Sequence, residues 1–170
     1  MENKTYPQNA IPFIGLSTEY CRTLENVADF TREELIDKMI RLLPRLYIMA
    51  TDLQTDPMLD DEAYIDNALD EDYYEAIRRS VEQITAEDDI YLEVFEEDMK
   101  YSDTPVSASI AEGLTDIFQS LYNFLAAVED ATDETVQVAL LSVSDDFKQF
   151  MGATICNTLR AMHALAYRDR

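Results

Sequence analysis

The sequence predicts an all-α fold, a single-domain bundle of five or six helices. Apolar side chains recur at steps of three and four residues along most of the chain, as amphipathic helices require. Only three glycines occur, and the Asn-Gly and Asp-Gly pairs that mark tight hairpins are absent from the sequence. The 170 residues suit one core, since a chain of this length buries roughly 70% of the surface that it exposes when unfolded.

The first two helices are predicted from periodicity and from a capping motif. Apolar residues recur with helical spacing over residues 13–29, which we predict as the first helix. Thr31 and Glu34 have the spacing of a capping box, in which the hydroxyl and the carboxylate each bind a free backbone amide at the start of a helix. Pro44 lacks an amide hydrogen, so we expect the second helix to be kinked at this proline, with the bend near Leu43.

An acidic connector is predicted over residues 54–70. Eight acids and no base lie between positions 56 and 72, and their mutual repulsion favours exposure to solvent. Residues 1–10 precede the first predicted helix and are expected to be flexible. The whole chain, residues 1–170, is expected to form one helical domain.

The middle of the chain is predicted as three helices and a loop. Apolar periodicity predicts a third helix over residues 71–84 and a short fourth helix over residues 88–99. The proline that closes residues 101–105 disfavours helical geometry in the residue before it, so this segment is predicted as a loop. Ser107 is then predicted to cap a fifth helix that ends near Glu129.

The remainder of the chain is predicted as a long helix capped by Thr132, with an interruption around residues 142–146 that would divide it in two. Basic side chains crowd its end, where they oppose the negative pole of the helix dipole. Gly113 and Gly152 fall inside predicted helices, where each costs about 1 kcal/mol relative to alanine. A close crossing of two helices would offset that cost, so we expect tight packing at both glycines.

Charge is the unusual property of this chain. Its 35 acidic and 13 basic residues leave a formal net charge of -22, which favours solubility and opposes compaction by self-repulsion. Nucleic acid and anionic membranes are therefore poor partners. A basic protein or a metal cation is compatible with the charge, although a solvated acidic surface without any partner explains it most simply.

The cysteines, the start of the chain and the length of its apolar runs indicate the cellular compartment. Cys21 and Cys156 each lie in an apolar-periodic stretch, which indicates small buried side chains rather than a disulfide. The start of the chain lacks the basic segment, apolar run and cleavage site of a secretory signal. Residues 117–128 fall short of the roughly 20 apolar residues that span a bilayer. We therefore expect a cytoplasmic protein that does not enter the membrane.

Three stretches, residues 19–47, 91–125 and 153–167, resemble a bacterial family of all-helical proteins that is known only as a domain of unknown function. The most family-like pieces are LLP at 42–44, YSDTP at 101–105 and RAMHAL at 160–165. The likeness is weakest over the acidic residues 56–72. The resemblance implies a helical fold, and it supplies neither an activity nor catalytic residues.

Most metal and nucleophile chemistry is excluded by the residues present. His163 is the only histidine, so neither a di-metal carboxylate bundle nor a zinc site has its ligands. Cys156 lies two helical turns before His163, a rise of about 10.5 Å, which is too far for a catalytic dyad. No acidic run contains the glycine of a calcium-binding loop. We predict no catalytic residue and no cofactor, with His163 at a helix end.

Four acidic residues support an alternative function, that of an enzyme. Glu93 and Glu96, followed by Glu112 and Asp116, resemble the paired carboxylates with which all-helical nucleotide pyrophosphohydrolases hold magnesium. The set departs from that pattern, because the first pair lacks an additional acid before it and the second is spaced by four residues. If the four converge in one cavity, they favour a carboxylate-metal enzyme acting on a phosphorylated small molecule or a nucleotide.

The loop over residues 101–105 is the candidate binding segment outside the helices. Tyr101, Ser102 and Asp103 bring an aromatic ring, a hydroxyl and a carboxylate together in a non-helical stretch. The alternative to a binding role is a purely structural turn, in which Ser102 or Asp103 caps a helix. The sequence by itself favours the turn.

The sequence therefore leaves the function unassigned and favours a non-enzymatic, cytoplasmic interaction or accessory protein with an unknown protein partner. A basic partner is the one that the charge favours. A second alternative is an acidic mimic of nucleic acid that occupies the basic groove of another protein, which predicts carboxylates in phosphate-like rows and salt-sensitive binding. The sequence does not fix the oligomeric state.

Overall fold

The fold is a bundle of helices, as predicted. The structure, a computed structural model, describes residue 7 and residues 9–59, 64–93 and 97–168. These ranges contain six α-helices: α1 (Ala10–Glu25), α2 (Arg32–Thr51), α3 (Glu71–Thr85), α4 (Ile110–Val128), α5 (Asp133–Asp146) and α6 (Gly152–Ala166). Short 3-10 turns cover Val27–Asp29, Ala86–Asp88 and Glu97–Lys100. None of the helices in the described ranges has the length and apolar composition that crossing a bilayer requires.

The capping box that begins α2 is confirmed. The Thr31 amide donates to Glu34 Oε2 at 2.8 Å, and the Glu34 amide donates to Thr31 Oγ1 at 3.2 Å. The helix continues through Pro44 as one element to Thr51, so the bend at this proline stays a prediction. Thr132 caps α5 through the Thr135 amide, also as predicted.

The predicted fourth helix over residues 88–99 is wrong. Strands β1 (Ile90–Glu93) and β2 (Val106–Ser109) form an antiparallel pair in this part of the chain. Ile90 pairs with Ser109, and Glu93 pairs with Val106. A β-branched and an aromatic residue at the start of β1 suit a strand, and pairing with β2 outweighs the helical spacing. Because residue 107 lies within β2, α4 is capped by Ser109 rather than by Ser107.

The interruption of the last predicted helix is a π-helical turn over Phe147–Met151, directly after the predicted residues 142–146. It separates α5 from α6, so the long helix is two helices. A Cβ added to Gly152 would lie 2.8 Å from the carbonyl oxygen of Phe147, because the wider turn brings that oxygen against the glycine. The tight contact at Gly152 therefore lies within the turn, not at a crossing of two helices.

Helix α4 is the centre of the core. It packs against α1, α3, α5 and α6, while α2 packs against α1 and α6. The rings of Phe13 and Phe124 meet with centroids 5.3 Å apart, and the buried Tyr20 hydroxyl donates to the Leu114 carbonyl at 2.7 Å. A Cβ added to Gly113 would lie 2.4 Å from Thr158 Oγ1, so the close helix crossing predicted at this glycine is confirmed.

Both cysteines are free, but only one is buried. Cys21 lies in the core, and burial raises the pKa of its thiol well above its ordinary value. Cys156 is exposed on α6, so its predicted burial is wrong. Its helical position falls on the side of α6 that faces solvent, which apolar periodicity alone did not reveal.

The acidic connector lies partly outside the described residues, which omit 60–63. The described residues on either side are mostly exposed, as predicted. Its end is fixed to α4, because Asn123 Oδ1 accepts hydrogen bonds from the Ala68 and Leu69 amides, each at 2.9 Å. Residues 1–6 and 8 of the segment predicted to be flexible lie outside the described residues, and Ala10 already belongs to α1.

One end of the bundle is closed by a charge cluster around Asp88. Arg32 at the start of α2 and Arg168 after α6 both bind this carboxylate, which is 12% exposed. The Arg168 hydrogen bonds are the main reason that the pKa of Asp88 lies below its ordinary value. Arg168, in the predicted basic end of the chain, therefore links the end of α6 to the turn after α3.

Candidate functional site

Two adjoining cavities run along α4, and we call them together the acidic groove. The hairpin cavity, of about 260 Å³, lies between the inner face of β1–β2, α4, α6 and the π turn. The connector cavity, of about 280 Å³, lies between α4, the end of α5 and the connector residue Ile65. Asp116 and Phe150 line both cavities, so the two are neighbours along α4.

Strand alternation and helical spacing bring carboxylates to the hairpin cavity. Side chains two apart on a strand share a face, which places Glu93 beside Tyr91 on the inner face of the sheet. Glu112 and Asp116 are four apart and share a face of α4. Glu93 is only 8% exposed, whereas Glu112 is exposed at the rim. Of the described residues that line the two cavities, none is a lysine or an arginine.

Tyrosines support two of these carboxylates. The Tyr74 hydroxyl donates to Asp116 Oδ1 at 2.6 Å, which ties α3 to α4 at the groove. Burial raises the pKa of Asp116 above its ordinary value, while the Tyr74 hydrogen bond opposes that rise and the Glu112 charge adds to it. Burial, together with the nearby Glu93 carboxylate, raises the pKa of Tyr91 to about 12. Both phenols therefore stay protonated near neutral pH and can donate hydrogen bonds.

The connector cavity adds a fourth acid and an aromatic ring. Asp146, the last residue of α5, lines this cavity, and its Oδ2 atom is buried without a hydrogen-bond partner among the described residues. The π turn that follows places Phe150 between the two cavities with 52% of its surface exposed. Functional sites often use π turns to present side chains in this way. The groove thus combines carboxylates with an exposed ring.

We expect Asp116→Asn to raise the stability of the protein at neutral pH. The folded-state pKa of Asp116 is raised, so ionisation of this carboxyl lowers stability as the pH rises through that value. Asparagine stays neutral and can still accept the Tyr74 hydrogen bond. The urea midpoint of the variant should exceed that of the wild type at neutral pH, and the two should converge at a pH below the ordinary aspartate pKa.

Tyr74→Phe provides the complementary measurement. It removes the hydrogen bond that lowers the pKa of Asp116, so an NMR titration of the Asp116 carboxyl should show a further rise in that pKa. An Asp116→Asn variant that is less stable than the wild type at neutral pH would show that the carboxylate is not destabilised by its burial.

The structure brings together three of the four carboxylates predicted as an alternative metal set. Glu93, Glu112 and Asp116 line the hairpin cavity, and Glu96 lies outside the described residues. Across the described parts of the chain, no group of three histidine, cysteine, aspartate or glutamate side chains is arranged to hold a metal ion. The three carboxylates therefore share a cavity without forming a coordination shell.

The other predicted residues lie away from the groove. Tyr101, Ser102 and Asp103 are exposed, with Tyr101 at 89%. Ser102 Oγ accepts from the Thr104 amide at 3.1 Å, so this serine stabilises a local turn rather than capping a helix. A binding role for the loop stays a prediction. His163 packs against Tyr167 at the end of α6, with the two rings tilted and their centroids 4.8 Å apart.

Sequence reasoning missed the aromatic members of the groove. The alternation of Tyr91 and Glu93 is typical of a strand with a polar inner face, but the helical spacing of apolar residues over 88–99 obscures it. No local signal identifies Tyr74 as the partner of Asp116, because 42 residues separate them in the chain. The exposure of Phe150 depends on the π turn, which periodicity shows only as a break.

Comparisons with known proteins give a family and a fold. A family model described as "Domain of unknown function (DUF5063)" matches residues 4–168. The crystal structure of protein BF1032 from Bacteroides fragilis is similar to this chain, with 28% sequence identity and a TM-score of 0.81. That similarity covers 96% of this chain and 95% of the other. None of the curated proteins matches the chain.

Proposed function

Because the chain belongs to the DUF5063 family, a domain of unknown function that matches residues 4–168, we propose a function from the acidic groove itself. The protein is a non-enzymatic interaction module, and the groove binds a basic segment of a partner protein. The observation that supports this most strongly is the lining of the hairpin cavity, where Glu93, Glu112 and Asp116 face one space.

The charges and the ring of the groove suit lysine or arginine side chains. Carboxylates in a partly buried cavity attract cations more strongly than they do in open water, because solvent screens them less. The Oδ2 of Asp146, which has no hydrogen-bond partner among the described residues, offers a further acceptor in the connector cavity. The exposed ring of Phe150 can pack against a guanidinium group. A net charge of -22 steers a basic partner toward the protein.

We propose that this interaction takes place in the cytoplasm, as the sequence predicts. The free thiols of Cys21 and Cys156 suit a reducing compartment. A basic partner also agrees with the poor fit of nucleic acid and anionic membranes to this charge.

Binding of a short peptide in which arginine alternates with valine tests the proposal. We expect fluorescence anisotropy to show binding that weakens as the ionic strength rises, and no binding of the glutamate–valine counterpart. Glu112→Gln should lower the affinity about fivefold, which corresponds to roughly 1 kcal/mol for one charge pair. Combining it with Asp116→Asn should lower the affinity further.

Glu134→Gln is the matched control. Glu134 and Glu112 both lie in the first turn of a helix, so each substitution removes the same helix-dipole interaction and the same unit of charge. Glu134 does not line the groove. Equal loss of affinity in the two variants would assign binding to net charge, and the groove would then have no specific role.

A carboxylate-metal enzyme is the second candidate, and the shared cavity of Glu93, Glu112 and Asp116 supports it. This enzyme would hold magnesium together with a phosphorylated small molecule or a nucleotide. A rise of several degrees in the melting temperature with magnesium plus a nucleotide, absent with either alone, would favour the enzyme over the interaction module. The Glu112→Gln variant should then lose that rise.

A further inference from the structure

The two-stranded sheet has an open edge on β2. The Ile110 amide donates to the Asp89 carbonyl at 2.8 Å, which continues the β1–β2 register by one pair. In an antiparallel ladder, alternate residues direct both backbone groups toward the partner strand. The N–H and C=O groups of Ala108 and Val106 therefore point toward β1. The N–H and C=O of Ser107 point away from it.

The outward groups of Ser107 are unoccupied within the described structure. Neither backbone group of this residue has a hydrogen bond to another element there, and its side chain is exposed. The opposite edge of the sheet differs, because Arg160 Nη2 on α6 donates to the Leu92 carbonyl at 2.9 Å. Strand β2 thus provides the edge at which another strand can pair.

This edge borders the acidic groove. Ala108 and Ser109 of β2 line the hairpin cavity, and α4 begins directly after them with Glu112 in its first turn. A strand added to β2 would lie about 4.8 Å beyond it. Every second side chain of the added strand would lie on the inner face, toward the carboxylates. The side chains between them would lie on the outer face.

The two faces of the sheet specify what such a strand would carry. The inner face presents Glu93 to the cavity, so cationic side chains suit it. The outer face presents Ile90 and Leu92, which are 63% and 56% exposed, so apolar side chains suit that face. A second copy of this chain fits poorly, because each copy carries a charge of -22.

We infer that the basic partner binds by β-strand addition: an extended segment with alternating basic and apolar residues pairs with Ser107 and directs its basic side chains into the acidic groove. This inference rests on the proposed function and adds the mode of recognition. Backbone hydrogen bonds to the edge would contribute affinity, and the alternation of side chains would contribute specificity.

Two backbone-methylated forms of the arginine–valine peptide test the inference. One carries N-methyl groups on the arginine amides, and the other carries them on the valine amides. Since amides alternate in direction along a strand, only one of the two sets can face β2. We expect that form to bind at least about tenfold more weakly than the unmodified peptide, and the other form to bind about equally well.

Hydrogen exchange of the Ser107 amide in the full chain gives an independent measurement. The unmodified peptide should slow this exchange, and the weakly binding methylated form should not. Equal binding of all three peptides, or equal loss in both methylated forms, would overturn strand addition while leaving charge-driven binding in place. Failure of the unmodified peptide to bind would overturn the proposed function as well. A dimer that protects Ser107 without peptide would assign the edge to a second copy and overturn the inference.

Discussion

Replacing Asp89 with alanine will lower the free energy of unfolding by about 2–4 kcal/mol. This carboxylate is 3% exposed and joins three elements. Thr85 Oγ1 at the end of α3 donates to Oδ1 at 2.7 Å, and Ser109 Oγ in β2 donates to Oδ2 at 2.5 Å. The Ala111 amide in the first turn of α4 donates to Oδ1 at 2.9 Å. Alanine leaves the buried Ala111 amide without its acceptor and removes the carboxylate that both hydroxyls bind.

Urea denaturation followed by circular dichroism measures this loss, since the chain has no tryptophan. Asp89→Asn retains one acceptor oxygen and should cost less than alanine. Glu87→Ala is the matched control, because it removes an exposed acid two residues earlier and should change stability by less than about 0.5 kcal/mol. Equal urea midpoints for Asp89→Ala and Glu87→Ala would mean that Asp89 does not hold the hairpin against α4.

Gly113→Ala is expected to destabilise the protein by about 1–2 kcal/mol, although alanine favours a helix. The new Cβ would lie 2.4 Å from Thr158 Oγ1, and Thr158 is fully buried, so either α4 and α6 separate or the threonine moves. This clash outweighs the gain of about 1 kcal/mol in helix propensity. Thermal and urea unfolding should both show the loss.

A double-mutant cycle with Thr158→Ala isolates the clash. In that background the opposing oxygen is gone, so Gly113→Ala should become neutral or stabilising, with a coupling energy of about 2 kcal/mol. Gly15→Ala is the matched control, since a Cβ added to this exposed helical glycine meets no atom within 4 Å. It should stabilise the protein by up to about 1 kcal/mol. A similar gain at Gly113 in the wild-type background would disprove the tight crossing.

In the proposed function, the acidic groove gives a specific use to part of the negative charge. Most of the acids among the described residues lie on exposed surface, where water solvates them. Glu93 and Asp116 differ, because tertiary structure withdraws them from solvent beside tyrosine hydroxyls. Such partly buried carboxylates keep more of their attraction for a cation at physiological salt. A strand paired with the open edge of β2 would add directional hydrogen bonds beside them.

Much of the helical architecture could be predicted from the sequence, because its causes are local. The capping box at Thr31 and the Thr132 cap depend on side chains within three residues of the helix start. The core face of α4 follows from apolar spacing. The resemblance to a family of unknown function was also visible in the sequence, and residues 4–168 match that family.

Tertiary structure decided the hairpin and the groove, because these depend on contacts between distant residues. The strand over Ile90–Glu93 exists through pairing with β2 and through Asp89, which binds residues up to 22 positions away. Tyr74 meets Asp116 only because α3 packs against α4. Local spacing reports which face of a helix is apolar. It does not report which polar groups a packed neighbour brings to the other face, so only the folded chain defines the site.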